Sequence, residues 1–201
     1  MNNRKRCKLV LASRSPRRRE LLTEAGYDFE VVAPDEAAEC GVGVPAQWVG
    51  RETPEKLVAR LARQKAAAVV RKISRGLVLA CDTVAQCDGQ ILGKPANEEH
   101  ARRMLQMLSG REHRVLSGLC LWNVPGGKPL VRVAVTRLRM DRLSTVEIDD
   151  YLASGLWEGK AGAFGYQDRL GWVHVVEGSR TNVVGLPMEL LEEMLEMTND
   201  E

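Results

Sequence analysis

Residues 8–32 read KLVLASRSPRRRELLTEAGYDFEVV. The apolar run from Lys8 to Ala12 suits a buried strand. Pro16 to Ala25 has helical character, with Ser15 as its N-cap, Pro16 at the first helical position and Gly26 just past its end. Tyr27 to Val32 alternates well enough to be a second strand. Strand, helix and strand in that order open an α/β fold.

The rest of the chain continues that alternation. Residues 34–53 are rich in Pro, Gly and acid and read as a long loop, a kind of segment that is commonly functional. From Pro54 to Lys72 a helix is expected, capped by Thr53, with Leu57, Val58, Leu61, Ala62, Ala68 and Val69 as its apolar stripe. Leu77 to Cys81 is an apolar strand that runs into Asp82-Thr83. Val84 to Leu92 holds Asp88-Gly89, a dipeptide of tight hairpin turns. Asn97 to Leu108 is a second long helix, with Ala101, Met104, Leu105 and Leu108 on one face and Glu98–Arg102 and Glu99–Arg103 spaced as i,i+4 pairs. Strands over 113–123 and 130–140 flank Pro125-Gly126-Gly127 as an antiparallel hairpin. A short helix follows from Thr145 to Ala153, with Thr145 at its cap. An irregular loop with four glycines spans 159–171; a strand over 172–176 and a terminal helix over 187–197 complete the chain. Neither a repeat nor a linker divides it, so a single domain over 1–201 is expected.

Composition narrows the function. Of 201 residues, 44% are hydrophobic and 28% charged, ordinary values for a folded globular chain. The net charge is only +2, so any basic site must be local, and nothing overall calls for nucleic acid or an acidic membrane as partner. Aromatic content of 4% leaves few platforms for stacking bases of a polynucleotide. Five cysteines, with no paired C-x-x-C motif, read as reduced thiols rather than a zinc site. No apolar stretch approaches the roughly 20 residues that cross a bilayer, and the N-terminal residues lack the apolar core of a signal peptide, so a cytoplasmic protein is expected. None of the three histidines stands in a motif with a serine or cysteine nucleophile.

Several residues could carry chemistry, each with a plainer alternative. A strand that ends in a Ser-rich turn and leads into a helix start offers backbone N–H groups and the positive end of a helix dipole to a phosphate. Ser13, Ser15, Arg17 and Arg18 would add hydroxyl and guanidinium donors; equally, the helix could be amphipathic with its arginines in water. Asp82 follows an apolar strand, where α/β folds open their ligand crevices, and can hold Mg²⁺ and orient or deprotonate a water; equally, it could cap a turn. Lys65 lies on or beside the apolar stripe of its helix and either snorkels past the core or points into a cleft. Lys94, on the Gly93-Lys94-Pro95 turn, could reach a site near Asp82 or be an ordinary loop lysine. The glycine-rich loop contributes Lys160 and Gln167, whose amide offers both a donor and an acceptor to a nucleobase edge; as a plain connector it would do neither.

Taken in order, LASRSPRRRELL (11–22), RLARQKA (60–66), ACDTV (80–84), ILGKP (91–95), MLQMLSGREHRVLSGL (104–119), KAGAFGYQD (160–168) and GSRTNVVGLP (178–187) resemble the Maf family of nucleoside triphosphate pyrophosphatases, from about Leu9 to Leu195. The resemblance implies an α/β fold of the inosine-triphosphatase-like superfamily, with an elongated mixed sheet flanked by helices and a deep cleft between two lobes. It implies attack of water on the α-phosphorus of a nucleotide, with Asp82 as general base and a share in binding a divalent metal, Mg²⁺ or Mn²⁺. Ser13, Arg18, Lys65 and Lys94 match phosphate-binding positions. Arg17, Thr83 and Gln167 match the positions that mark the branch preferring dTTP and UTP, where the 7-methyl-GTP branch carries Trp, Gln and Glu. A homodimer is also implied.

The sequence departs from the family at three places. In PDEAAEC (34–40) the usual acidic position holds Ala38, so Glu39, or Glu36 near it, is expected to stand in as metal ligand beside Asp82. Cys81 replaces a small residue, and Arg180 stands where tyrosine is usual. Two alternatives remain: a regulatory nucleotide- or protein-binding factor acting in cell-division arrest, and a pyrophosphatase for other modified nucleotides such as 7-methyl-GTP.

Overall fold

Strand β1 (Leu9–Leu11) is buried along its whole length and pairs in parallel with β2 (Phe29–Val31) on one side and β3 (Gly76–Cys87) on the other. The computed structural model describes residues 8–35, 52–168 and 171–199. Helix α1 (Pro16–Glu24) joins β1 to β2, as the opening stretch predicts. Its cap differs from the expectation in one respect. Ser15 has the extended N-cap backbone, but its side chain makes no capping bond; Ser13 Oγ instead accepts the Ser15 N–H at 3.1 Å. Seven strands form one mixed sheet in the order β2, β1, β3, Glu112–Val124 (β5), Pro129–Met140 (β6) and Val173–Glu177 (β7), with β4 (Gln90–Leu92) antiparallel to β3. β5 (Glu112–Val124) and β6 (Pro129–Met140) are adjacent and joined by residues 125–128.

The chain divides into two compact units, each assembled from separate stretches: Met1–Asp82, Gly118–Val133 and Leu190–Glu201 in the first, Thr83–Ser117 and Ala134–Glu189 in the second. The core of the first unit packs Val10, Val78 and Ala80 of the sheet against Ala62, Ala66 and Val69 of helix α2 (Pro54–Val70). Thr53 caps α2 as expected, Oγ1 accepting the Lys56 N–H at 3.3 Å. The buried face is rotated slightly from the expected stripe. Ala66 is inside and Ala68 only half-buried, because the row from Val58 through Ala62 to Ala66 takes the sheet-facing side. Strand β5 runs so close under α2 that a Cβ at Gly118 would fall inside contact distance of the Val58 carbonyl and 2.8 Å from the Ala59 nitrogen.

In the second unit Asp88 and Gly89, both at positive φ (47° and 76°), turn β3 into β4 as the Asp-Gly pair predicts. Helix α3 (Glu98–Leu108) is capped by Asn97 and buries Ala101, Met104, Leu105 and Leu108, the face read from the sequence. Both expected ion pairs form on its outside, at 3.7 Å for Glu98–Arg102 and 2.6 Å for Glu99–Arg103. Helix α4 (Thr145–Ala153) keeps its expected span, but its cap is Ser144, not Thr145. Ser144 Oγ accepts the Glu147 N–H while Glu147 returns a carboxylate oxygen to the Ser144 N–H at 2.8 Å, a reciprocal pair that Thr145 could not make from inside the first turn. The glycine-rich segment forms two single turns, Ala161–Ala163 and Tyr166–Asp168. β7 (Val173–Glu177) follows and pairs antiparallel with β6. Arg180–Val184, unassigned from sequence, is the short helix α5, and α6 (Met188–Asn199) is the expected terminal helix.

His113 is 3% exposed and meets Phe164 edge-on, with ring centroids 5.3 Å apart. Burial pushes its imidazole down to about 4, against a weaker opposing pull from the Arg111 backbone.

Two outcomes follow from this packing. Gly118→Ala must push α2 off the sheet and should lower unfolding free energy by about 1–3 kcal/mol in urea titration. His113 is neutral when folded and protonates once unfolded, so its stabilisation is full above pH 6.5 and is lost as pH falls toward 4, roughly 3 kcal/mol in all. His113→Leu should flatten that part of the stability–pH curve.

Candidate active site

Within the first unit, the geometry of the parallel strands collects the expected residues at one end of the sheet. Leu11 lies opposite Leu79, and the Ala12 N–H donates to the Leu79 carbonyl at 2.8 Å. Ser13 lies two residues past Leu11, and Asp82, still inside β3, three residues past Leu79, so both stand just beyond the paired stretch of these parallel strands. β1 is connected through α1 to β2 on its far side, while the chain returns past it to β3. The β1/β3 boundary is thus a switch point of the kind where open α/β sheets bind ligands.

At that end Ser13 is fully buried, and Arg18, 7% exposed, donates from its guanidinium to Ser13 Oγ at 3.1 Å. The Ser15 N–H occupies the same oxygen, so the lone pairs of Ser13 are engaged from within the protein and its own O–H is the group it has to donate. Arg17 is half-buried and Arg19 exposed. Arg18 thus turns inward and Arg19 outward.

Lys65 does not snorkel. It sits one turn beyond Leu61 on the buried face of α2, where its Nζ donates to Asp82 Oδ1 at 2.5 Å, with side chains 5% and 12% exposed. Asp82 is accordingly neither a cap nor a turn residue. Close by, Arg60 makes a forked contact to Glu52, with Nη2 to Oε2 at 2.8 Å; that hydrogen bond raises the guanidinium above its ordinary value, and the charge of Asp82 adds to the effect. Arg60 lies inside the RLARQKA stretch, but its partner could not be read from a pattern.

In the second unit Thr83, the next residue of β3, has its Oγ1 2.8 Å from Ser117 Oγ and 3.4 Å from the Gly185 carbonyl. Lys94 is exposed on its turn and Gln167 is exposed on the Tyr166–Asp168 turn. Backbone contacts draw these segments together. The Gly162 N–H donates to the Gly93 carbonyl at 3.0 Å, and a Cβ at Gly162 would lie 3.1 Å from that of Ala85. Lys160 is not a spare cation for a ligand: it is 7% exposed and its Nζ meets both oxygens of Asp168, at 2.5 and 2.6 Å. Ser117, Tyr151 and Asp168 were not singled out in the sequence. A lone serine in the apolar strand VLSGLCL is the one local signal that pointed to any of them.

Glu36 and Glu39, expected as stand-in metal ligands, lie outside the described residues. Asp35, first acid of that string, pairs with Lys72 at 2.6 Å, which holds its carboxyl below the usual carboxylate range. Among the described residues no three His, Cys, Asp or Glu side chains form a metal cage. A donor set of one carboxylate at Asp82 suits Mg²⁺, which is commonly held by one or two carboxylates together with the phosphates of a substrate. No helix among the described residues is long and apolar enough to cross a membrane.

A family model described as Maf-like protein matches residues 8–198 and so runs through both units. The chain is 53% identical over 189 residues to a dTTP/UTP pyrophosphatase of Rhodopirellula baltica, covering 94% of this chain and 81% of the relative. It is 41% identical to a dTTP/UTP pyrophosphatase of Syntrophomonas wolfei, over 92% of this chain and 94% of the relative. A protein of the same name from Thermococcus gammatolerans is 40% identical over 94% and 96% of the two chains.

Lys65→Met leaves the Asp82 carboxylate buried without its counter-charge and should cost about 3–5 kcal/mol in denaturant unfolding. Lys65→Met combined with Asp82→Leu should recover most of that loss. A stable Lys65→Met protein would show the pair to be energetically idle.

Proposed function

Since the chain belongs to the Maf-like protein family, we propose that it is a dTTP/UTP pyrophosphatase, cleaving the nucleotide between its α- and β-phosphates to the monophosphate and pyrophosphate. The observation that carries this reading is the buried Lys65–Asp82 pair, set just beyond the stretch of β3 that pairs in parallel with β1. Two desolvated charges are poor material for stability alone, so a buried ion pair of this kind calls for a role beyond holding the fold.

In this reading the oxygen of a water bonds to the α-phosphorus, the bond to the bridging oxygen breaks, and pyrophosphate leaves. Asp82 takes the water's proton. Its Oδ1 is engaged by Lys65, so the proton goes to Oδ2. One N–H of the Lys65 ammonium holds the aspartate, and the other two are given to phosphate oxygens. The Ser13 hydroxyl and the Arg18 guanidinium bind phosphate at the start of α1, and Lys94 adds a further cation to the leaving group. A divalent metal held by Asp82 and Glu39 would neutralise phosphate charge when bound. Arg17, Thr83 and Gln167 select the pyrimidine base. A single working domain over the chain and a cytoplasmic location are kept from the sequence, and a homodimer from the family resemblance. The names of the relatives favour neither a regulatory factor nor a preference for 7-methyl-GTP.

Pyrophosphate release from dTTP, UTP and 7-methyl-GTP, with Mg²⁺ or Mn²⁺, tests the reading. dTTP and UTP should be turned over best, a chelator should stop the reaction, and Asp82→Asn should lower kcat by about 10²–10⁴-fold. Undiminished turnover in Asp82→Asn, or a clear preference for 7-methyl-GTP, overturns it.

A further inference from the structure

Gln167 stands exposed on a turn of only three residues, Tyr166–Asp168. A single 3-10 turn is too short to hold itself, since one hydrogen bond is gained for several dihedrals fixed. The bond concerned here is from the Asp168 N–H to the Gly165 carbonyl, at 3.2 Å. Something else must fix the turn, and it is the next side chain along. Asp168 points inward, 5% exposed, and both its oxygens are met by Lys160 Nζ at 2.5 and 2.6 Å. Its Oδ2 also accepts the Tyr151 hydroxyl at 2.7 Å. Tyr151 itself is 3% exposed on α4, with its ring edge-on to Trp172 at 5.5 Å.

The carboxylate therefore ties the two ends of the glycine-rich loop to each other and to a buried ring of a long-range neighbour. The loop is wound tightly on this knot. A Cβ at Gly165 would come within 2.6 Å of Lys160 Nζ and 2.7 and 2.8 Å of the two carboxylate oxygens. A buried ion pair stabilises no better than an apolar filling of the same volume, but it does fix one geometry.

We infer that Asp168, gripped by Lys160 and Tyr151, is a positioning residue that sets the aim of the Gln167 amide and so the choice between pyrimidine bases. The inference rests on the proposed role of Gln167 at the nucleobase. Uracil and thymine present a carbonyl acceptor beside an N–H donor; cytosine presents an amino donor beside a bare nitrogen acceptor. An amide held one way round complements the first pattern and is mismatched to the second, whereas an amide free to swing serves both. Anchoring the Gln167 backbone through its neighbour removes the loop motion that would let it swing.

The test is the ratio of kcat/KM for UTP to that for CTP in Asp168→Asn, Tyr151→Phe and Gln167→Ala, each singly, and in Gln167→Ala combined with each of the other two. Asp168→Asn and Tyr151→Phe should each lower the ratio about tenfold, through KM for UTP more than through kcat. Added to Gln167→Ala they should lower it no further, because a residue acting through Gln167 has nothing left to act on. Tyr151→Phe keeps the ring and carries the test if Asp168→Asn fails to fold. An unchanged ratio in Asp168→Asn and Tyr151→Phe, alongside a lowered ratio in Gln167→Ala, overturns the inference and leaves the role of Gln167 standing. Losses that simply add in the double variants overturn it as well. A ratio unchanged in Gln167→Ala itself, or a wild type that accepts CTP as readily as UTP, overturns the base-reading role and the inference with it.

Discussion

Neither charge of the Lys65–Asp82 pair would be tolerated where it lies without the other, and this mutual dependence organises the first unit. The lysine reaches its partner only because α2 lies flat on the sheet at the height of Asp82, and α2 lies there only because Gly118 lets the Val58 carbonyl come down onto β5. Thr53 starts the helix and the row through Ala62 and Ala66 beds it with small side chains. A thicker residue anywhere along that contact would lift the ammonium from the carboxylate. The core packing of the unit and the chemistry of its polar pair are thus one geometric problem.

The second unit handles its polar groups in a different way. There the buried hydroxyl of Ser117 holds Thr83, and Asn182, wholly buried, donates to the Val115 carbonyl at 3.1 Å and to Thr136 at 2.9 Å. Thr136 in turn exchanges bonds with the Ser179 backbone. Such short-range polar links fix strand ends and turns without asking a charge to leave water. The exception is Lys160–Asp168, where a full ion pair is enclosed by a loop built around it.

What the sequence made legible and what it hid divide along a physical line. Period and punctuation carried the helices: the face of α3, the Thr53 cap and the Asp88-Gly89 turn each depend on residues within a few positions of one another. Lys65 could be placed on a buried face by spacing, but its partner lies 17 residues on in another element, so the pairing was invisible. Asp168 with Tyr151, and Thr83 with Ser117, are likewise 17 and 34 residues apart. The α4 cap was missed by one position because Ser144 and Thr145 both belong to the capping residue types, and the reach of Glu147 to the residue three before it singles out Ser144. The ordered set of motifs pointed to the family where no single motif could, since each alone had an ordinary structural explanation.

The bond from the Gly162 N–H to the Gly93 carbonyl joins the loop that carries Gln167 to the turn that carries Lys94 through main-chain atoms alone. No side-chain exchange at either segment removes a donor or acceptor from that link unless it brings in proline at 162. The loop is therefore free to vary its outward-facing chemistry over evolutionary time while keeping its distance from the turn.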